Sequence, residues 1–268
     1  MTDDGHTLTG DIRRHQDFPS ALLGNRREVL VYLPPGYSRS RLRYPVLYLQ
    51  DGQNVFDAAT SYSGTEWGVD ETAQRLIEAK EVASLIVVAV NNTGEDRIHE
   101  YTPTRGRYEV FGTPGRSKGL ASRYGRFLVE ELKPFIDKRY RTRREGEYTG
   151  LGGSSLGGLV TLSVALRFPG VFTRLALMSP SVWWDDCILY KLVDDLPAKL
   201  PLKIWLDTGT GEPGWERAGV LRDHLVAKGW AEGQDLIYKD YEGAGHNEGA
   251  WAARMDEVLK YLYPPRGR

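Results

Sequence analysis

The stretch Glu147-Tyr-Thr-Gly-Leu-Gly-Gly-Ser-Ser-Leu-Gly-Gly-Leu-Val160 decides the fold. Residues 148–151 predict a short buried strand, and residues 156–168 predict a helix. Between them lies the pattern Gly153-Ser-Ser-Leu-Gly157, whose small residues let a strand and a helix approach closely. A serine in this context is presented on a strained turn, the geometry of a nucleophile elbow. We therefore predict that Ser155 is a nucleophile.

A second Gly-x-Ser-x-Gly pattern, Gly115-Arg-Ser-Lys-Gly119, has a different context. It follows Pro114 in an irregular segment with no apolar strand before it, so we interpret Ser117 as a loop residue. A phosphate-binding function is also disfavoured for the first pattern. The dinucleotide pattern requires a glycine where Ser155 stands, and no Lys-Ser or Lys-Thr pair follows to make a P-loop.

Short β-rich runs alternate with amphipathic segments along the rest of the chain. This alternation is typical of a mostly parallel sheet with helices on both faces, and we expect about eight strands in one domain over residues 1–268. The other predicted strands are 28–33, 46–50, 85–90, 174–178, 203–206 and 236–241, with a further candidate at 8–13. The other predicted helices are 69–79, 120–140, 215–228 and 248–263. Residues 91–118 show no period and predict a long irregular surface excursion.

The amino-acid composition indicates which class of molecule the protein binds. The 268 residues carry 35 Lys and Arg against 36 Asp and Glu, so the formal net charge is −1. Nucleic acid and anionic membranes select a strongly basic face, so this balance disfavours both and favours a small molecule. A single cysteine, Cys187, can form neither an intramolecular disulfide nor a zinc site by itself, and we expect no metal and no cofactor.

The same sequence bears on location and assembly. No apolar run reaches the length of a membrane span, and the polar first residues are unlike a signal peptide. We therefore expect a cytoplasmic protein, with a processed secreted form as the alternative. The sequence leaves a homo-oligomer open.

A serine hydroxyl needs a base to take its proton, and usually a carboxylate to orient that base. Of the five histidines, His246 lies between the last predicted strand and the last predicted helix, where the chain order serine, acid, histidine places the base. The acid then belongs in the loop after strand 203–206, which contains Asp207 and Glu212. Asp207 ends the strand, whereas Glu212 lies farther into the loop, so we favour Glu212. A Ser-His dyad is the remaining alternative.

Acyl chemistry also requires N–H donors for the developing oxyanion. We expect Leu156, the residue after the nucleophile, to supply one, and the turn after strand 46–50 suggests Gln53 as the second, with Asn54 as the next candidate. A turn that only ends the strand is the alternative. Four side chains are candidates for substrate binding. Arg97 and Tyr101 suit a carboxylate, a catechol or a sugar hydroxyl, although a role of Arg97 in holding its own loop fits equally well. The indoles of Trp183 and Trp184 suit the wall of an acyl or aryl pocket, although a core role fits one of them at least as well.

In order and combination, seven motifs resemble the esterase D-like family of α/β-hydrolases, which includes enterochelin esterases, feruloyl and acetyl-xylan esterases, S-formylglutathione hydrolases and mycolyltransferases. The resemblance covers nearly the whole chain and implies an α/β-hydrolase fold with Glu212 as the triad acid. The motifs are Tyr44-Pro-Val-Leu-Tyr-Leu-Gln-Asp-Gly52, Arg97-Ile-His-Glu-Tyr-Thr-Pro103, Glu130-Glu-Leu-Lys-Pro-Phe-Ile-Asp137, Gly153-Ser-Ser-Leu-Gly-Gly158, Ser179-Pro-Ser-Val-Trp-Trp184, Gly209-Thr-Gly-Glu212 and Gly245-His-Asn-Glu248.

Two departures accompany this resemblance. Many α/β-hydrolases have His-Gly where this chain has Asp51-Gly52, and some siderophore-ester relatives lack the triad acid. The residues and the resemblance together predict a serine carboxylic ester hydrolase that forms an acyl-enzyme at Ser155. Siderophore, hydroxycinnamoyl-sugar and simple acyl esters are not separable by sequence. The alternatives are an acyltransferase of the same fold and a non-catalytic binding module on a hydrolase scaffold.

Overall fold

An eight-stranded, mostly parallel sheet organises the protein. The computed structural model describes residues 5–110 and 113–265. Its strands are β1 (Asp11–Ser20), β2 (Asn25–Leu33), β3 (Val46–Gln50), β4 (Ile86–Val90), β5 (Gly106–Val110), β6 (Thr113–Ser117), β7 (Thr149–Ser154), β8 (Arg174–Met178), β9 (Lys203–Gly209) and β10 (Leu236–Tyr241). The sheet order is β1-β2-β4-β3-β7-β8-β9-β10. β2 pairs antiparallel with both β1 and β4, and all other neighbouring strands of the sheet pair in parallel. The predicted sheet is confirmed.

Helices cover both faces of this sheet. They are α1 (Val69–Glu78), α2 (Arg97–Tyr101), α3 (Ala121–Arg126), α4 (Lys133–Arg139), α5 (Leu156–Arg167), α6 (Ile188–Asp194), α7 (Glu216–Lys228), α8 (Glu248–Ala252) and α9 (Met255–Leu262). Buried side chains of α1, α8 and α9 form the core on one face, and those of α3 to α7 form the core on the other. Within the described residues, no helix is both long enough and apolar enough to span a bilayer.

The structure corrects several predicted elements. Predicted strand 8–13 overlaps the longer β1 only at residues 11–13, and β1 forms a hairpin with β2. The excursion 91–118 is not irregular: it contains α2 and the β5-β6 hairpin, whose strands are too polar to show an apolar period. A π-helical segment, Phe127–Leu132, joins α3 to α4 within predicted helix 120–140. Predicted helix 248–263 is divided into α8 and α9.

Two predictions reach beyond the described residues. The single domain predicted over 1–268 includes residues 1–4, 111–112 and 266–268, and the excursion 91–118 includes residues 111–112. These positions lie outside the part of the chain that the structure describes.

The parallel strands bring four chain segments to one edge of the sheet. In the register, Leu49 pairs with Gly152, Ser154 with Met178, and Met178 with Asp207. The carboxyl ends of β3, β7, β8 and β9 are therefore level with one another. In open α/β sheets this is the edge at which ligands bind.

Candidate active site

Ser155 occupies a strained turn between β7 and α5. Its backbone has φ 56° and ψ −123°, a region that residues with a side chain rarely adopt. Glycines make the surrounding contacts possible. A Cβ on Gly153 would lie 2.9 Å from Cβ of Gln50, and a Cβ on Gly158 would lie 2.9 Å from Cβ of Pro180. The local geometry is that of a nucleophile elbow.

The imidazole of His246 lies between Ser155 and Glu212. Its Nε2 is 2.9 Å from Oγ of Ser155, and its Nδ1 is 2.8 Å from Oε2 of Glu212. The loops that carry His246 and Glu212 follow β10 and β9, which pair in parallel. The imidazole is 41% exposed and the Glu212 side chain 7%, so the ring is accessible while the carboxylate is screened from water. The structure thus brings together the three side chains that the sequence singled out.

The second oxygen of the Glu212 carboxylate is also held. Oε1 accepts hydrogen bonds from Oγ of Ser179 at 2.6 Å and from the N–H of Gly209 at 2.9 Å. Burial by itself raises the pKa of Glu212, but the hydrogen bonds from His246 and Ser179 outweigh it and lower the pKa below its ordinary value. Glu212 is therefore ionised at neutral pH, the form that stabilises an imidazolium.

Asp207, the competing acid, is fully buried and bound to other partners. Its Oδ1 accepts from Nη1 of Arg254 at 2.6 Å, and its Oδ2 accepts from Nε1 of Trp205 at 2.6 Å. Burial raises the pKa of this carboxyl, and the charge of Arg254 acts against that shift. Among the described contacts Asp207 makes none with His246, so its place in the structure is that of an anchor for Arg254.

Two serines touching this array were not predicted. Oγ of Ser179 accepts from Nη1 of Arg254 at 3.0 Å and from Nε1 of Trp251 at 3.1 Å, which directs its own proton to Glu212. Oγ of Ser181 lies 3.2 Å from Oγ of Ser155. The sequence signal was present, because Ser179-Pro-Ser181 directly follows β8, the neighbour of β7.

The two predicted oxyanion donors lie on adjacent segments. Leu156 is the first residue of α5, so its N–H has no acceptor within the helix. Gln53 lies in a 3₁₀ turn directly after β3. The segments are in contact, since a Cβ on Gly157 would lie 3.1 Å from Cβ of Gln50 and 3.4 Å from Oδ2 of Asp51. The role of both N–H groups stays a prediction.

Arg97 and Tyr101 both contact the turn that carries Gln53. Nε and Nη2 of Arg97 donate to the two oxygens of Asp51 at 2.7 and 2.8 Å. Arg97 is 28% exposed, and its contact with substrate stays a prediction. The corresponding prediction is wrong for Tyr101, which is fully buried and whose hydroxyl accepts from the N–H of Asp51 at 3.3 Å. Tyr101 supports the turn from inside the core.

A cavity of about 280 Å³ opens beside His246 and Glu212. Trp183 lines it and is 49% exposed, so its predicted role in substrate binding stays a prediction. For Trp184 the prediction is wrong: it is 1% exposed, lies in the core and donates from Nε1 to Oγ1 of Thr104 at 3.0 Å. Two lining residues from the start of α7 were not predicted: Trp215 and Arg217.

Comparison with known proteins assigns this chain to a family. Residues 20–262 match the family model Esterase, described as "Putative esterase". Ferri-bacillibactin esterase BesA of Bacillus subtilis is 30% identical over 249 residues, covering 84% of this chain and 80% of its own. An endo-1,4-beta-xylanase/feruloyl esterase of Xylanibacter ruminicola is 30% identical over 173 residues, covering 63% of this chain and 22% of its own.

The fold is shared with solved esterase structures. The enterobactin esterase FES from Shigella flexneri, crystallised in the presence of enterobactin, aligns with a TM-score of 0.76 at 18% identity, over 97% of this chain and 61% of its own. The chain therefore belongs to the esterase family that the model describes, and it is an ester hydrolase of the α/β-hydrolase type.

Proposed function

We propose that the protein hydrolyses carboxylic esters through an acyl-enzyme on Ser155, with His246 as base and Glu212 as the acid of the triad. One observation carries this proposal. Two hydrogen bonds, of 2.9 and 2.8 Å, connect Oγ of Ser155 through the imidazole to a buried, ionised carboxylate. This is the geometry in which a histidine takes a serine proton and an acid fixes its tautomer.

The reaction follows from these positions. Nε2 of His246 takes the proton of Ser155 while Oγ attacks the ester carbonyl carbon, and the N–H groups of Leu156 and Gln53 stabilise the oxyanion. The imidazolium then gives its proton to the leaving alcohol, and the acyl group remains on Oγ. Water attacks this acyl-enzyme with His246 again as base, and the carboxylic acid leaves. Glu212 stays ionised throughout.

The cavity beside His246 suggests which part of the substrate it holds. Its volume of about 280 Å³ lies near the lower limit for small-molecule pockets, so it suits one acyl chain or ring and not a whole large ester. The indoles of Trp183 and Trp215 provide apolar faces on which a ring or chain can pack. The relatives named for ferri-bacillibactin and feruloyl esters make siderophore and hydroxycinnamoyl esters the substrate classes to test beside simple acyl esters.

The test combines turnover with covalent labelling. We expect hydrolysis of p-nitrophenyl esters from acetate to octanoate with an optimum at one chain length, and a single fluorophosphonate adduct on the peptide that contains Ser155. The Ser117→Ala variant is the matched control, since Ser117 has the same flanking pattern, and it should label like the wild type. A label on another serine, or neither label nor turnover with any of the three ester classes, would contradict the proposal.

Adjacent tryptophans allow the binding role to be separated from a structural one. Trp183→Ala is expected to raise KM for longer acyl or aryl esters roughly fivefold, the loss of an aromatic contact of about 1 kcal/mol, with little change in stability. Trp184→Ala instead removes a buried indole and should lower the free energy of unfolding by about 3–5 kcal/mol. KM across the ester series and urea unfolding measure the two effects. An equal KM increase for acetate and octanoate in Trp183→Ala would argue against a pocket wall.

A further inference from the structure

Ser179 lies directly after β8 in a backbone conformation that disfavours a side chain. Its φ is 41°, in the left-handed region where glycine is the usual residue. The residue is buried, with 2% of its surface exposed. Glycine would form this turn without strain, and strained backbone of this kind is concentrated at functional sites. The position therefore points to a role for the hydroxyl.

The hydroxyl of Ser179 makes three hydrogen bonds, and the donor of each can be assigned. Nη1 of Arg254 at 3.0 Å and Nε1 of Trp251 at 3.1 Å can only donate, so they occupy both lone pairs of Oγ. The third bond, of 2.6 Å to Oε1 of Glu212, must then use the hydroxyl proton. Trp251 on α8 and Arg254, directly before α9, thus fix the direction in which Ser179 donates.

The guanidinium of Arg254 lies between two carboxylates. It is 1% exposed, its Nη1 is 2.6 Å from Oδ1 of Asp207, and its Nη2 is 3.7 Å from Oε1 of Glu212. Nη2 has no hydrogen-bond partner among the described residues. A buried ion pair is often no more stabilising than apolar residues of the same volume, so packing alone does not account for an arginine here. Its orientation indicates a second role, as a charge beside Glu212.

The charges around Glu212 are balanced for the reaction intermediate and not for the resting site. Asp207 and Glu212 share one guanidinium, so one negative charge remains while His246 is neutral. When His246 takes the proton of Ser155, the imidazolium cancels that charge. Interactions that strengthen as the reaction proceeds lower the barrier. Three further charged or titratable groups lie around this array, and none of them hydrogen-bonds to Glu212 within the described part of the chain: Arg217 on α7, Tyr241 on β10 and Glu248 on α8.

We propose that Arg254 and Ser179 are positioning residues for the ester hydrolysis proposed above, on which this inference rests. Arg254 orients the hydroxyl of Ser179, and that hydroxyl holds Glu212 ionised with Oε2 facing Nδ1 of His246. Trp251 supports the same arrangement, because its indole also packs edge-on against the imidazole, with 5.0 Å between the ring centroids. Arg254 and Ser179 act through Glu212 and not on the substrate.

Two substitutions of Ser179 separate this role from a structural one. Ser179→Ala and Ser179→Gly both remove the hydroxyl, and each is expected to lower kcat about tenfold with little change in KM, the effect of losing one hydrogen bond to a charged group. Ser179→Gly should be at least as stable as Ser179→Ala, because glycine adopts a φ of 41° without strain. Ser154→Ala, the same chemical change at a buried serine of β7, should retain kcat. Steady-state kinetics and urea unfolding measure these effects.

The pH dependence of kcat/KM provides a readout that a purely structural role would not change. Its acidic limb reports protonation of the base in the free enzyme. Without the donor from Ser179, the carboxylate of Glu212 attracts the imidazolium more strongly, so the limb should move to higher pH by about half a unit in both Ser179 variants. Asp207→Asn removes a negative charge and keeps Arg254, so the limb should move to lower pH.

Failure of this inference is distinguishable from failure of the proposed function. Wild-type turnover, together with unchanged kcat and an unmoved acidic limb in the folded Ser179 variants, would overturn the inference alone. A shift in the same direction in Asp207→Asn and in the Ser179 variants would overturn it as well, because the two changes act on the charge of the site in opposite directions. No turnover of any ester by the wild type would remove the proposed function, and this inference with it.

Discussion

The Ser155→Ala variant is expected to lower kcat for p-nitrophenyl esters by about 10⁶-fold, because removal of the nucleophile of a serine triad eliminates the acyl-enzyme route. The fold should persist. Alanine keeps the same positive φ that serine already adopts, and the substitution removes a single hydroxyl, which interacts with Nε2 of His246 and with Oγ of Ser181. We therefore expect an unfolding temperature within a few degrees of the wild type and KM close to unchanged where residual turnover can be measured.

The neighbouring serine provides the control for this variant. Ser154 ends β7, is buried and lies directly beside the elbow, so Ser154→Ala makes the same chemical change one position away. We expect it to retain kcat within a few-fold of the wild type. A folded Ser155→Ala protein with appreciable turnover would show that the nucleophile lies elsewhere.

Glu212 and Asp207 are the two candidates for the triad acid, and their substitutions should change different quantities: kcat for Glu212 and stability for Asp207. Glu212→Ala is expected to lower kcat by about 10³–10⁴-fold, since the imidazole loses the group that orients it and stabilises its positive charge. Asp207→Ala should mainly lower stability, by about 3 kcal/mol, because it removes the nearer carboxylate of the buried guanidinium of Arg254 and leaves Oε1 of Glu212, 3.7 Å away, as the remaining ion-pair partner. Arg254 also contacts Ser179, so a smaller decrease in kcat is expected with Asp207→Ala.

Steady-state kinetics and urea unfolding of both variants measure this separation. Glu212→Gln and Asp207→Asn repeat the comparison with little change in side-chain volume. If Asp207→Ala lowered kcat more than Glu212→Ala in proteins of equal stability, the assignment of the acid would be wrong.

Much of the fold and of the candidate site could be predicted from local sequence patterns. Val, Leu and Ile runs bounded by turns predict the central strands, and the alternation with helices predicts parallel pairing. Parallel pairing then requires that the segments after β3, β7, β8 and β9 meet at one edge. For this reason, the strand-turn-helix context of Ser155 and the chain order pointed to Ser155 and His246. The acid remained a choice between Glu212 and Asp207, in which the family resemblance favoured Glu212. The structure brings the side chains of Ser155, His246 and Glu212 together.

The burial of single side chains could not be predicted from the sequence in the same way. Trp183 and Trp184 are adjacent and chemically identical, yet one lines a cavity and the other lies in the core. The turn after β8 has no sequence period from which this difference could be predicted. Tyr101 lies in the core because it belongs to the short α2. The polar composition of residues 91–118 did not predict this helix.

The distance along the chain between the proposed nucleophile and its proposed base also bears on when activity can begin during synthesis. His246 comes 91 residues after Ser155. At roughly 5–20 residues per second, a ribosome needs about 5–18 s to cover that interval. During this time the nascent chain contains the residues of β7 and α5 but not His246, the proposed base. On the proposed mechanism, the nascent chain should hydrolyse no ester until His246 has been synthesised and β10 has paired with β9.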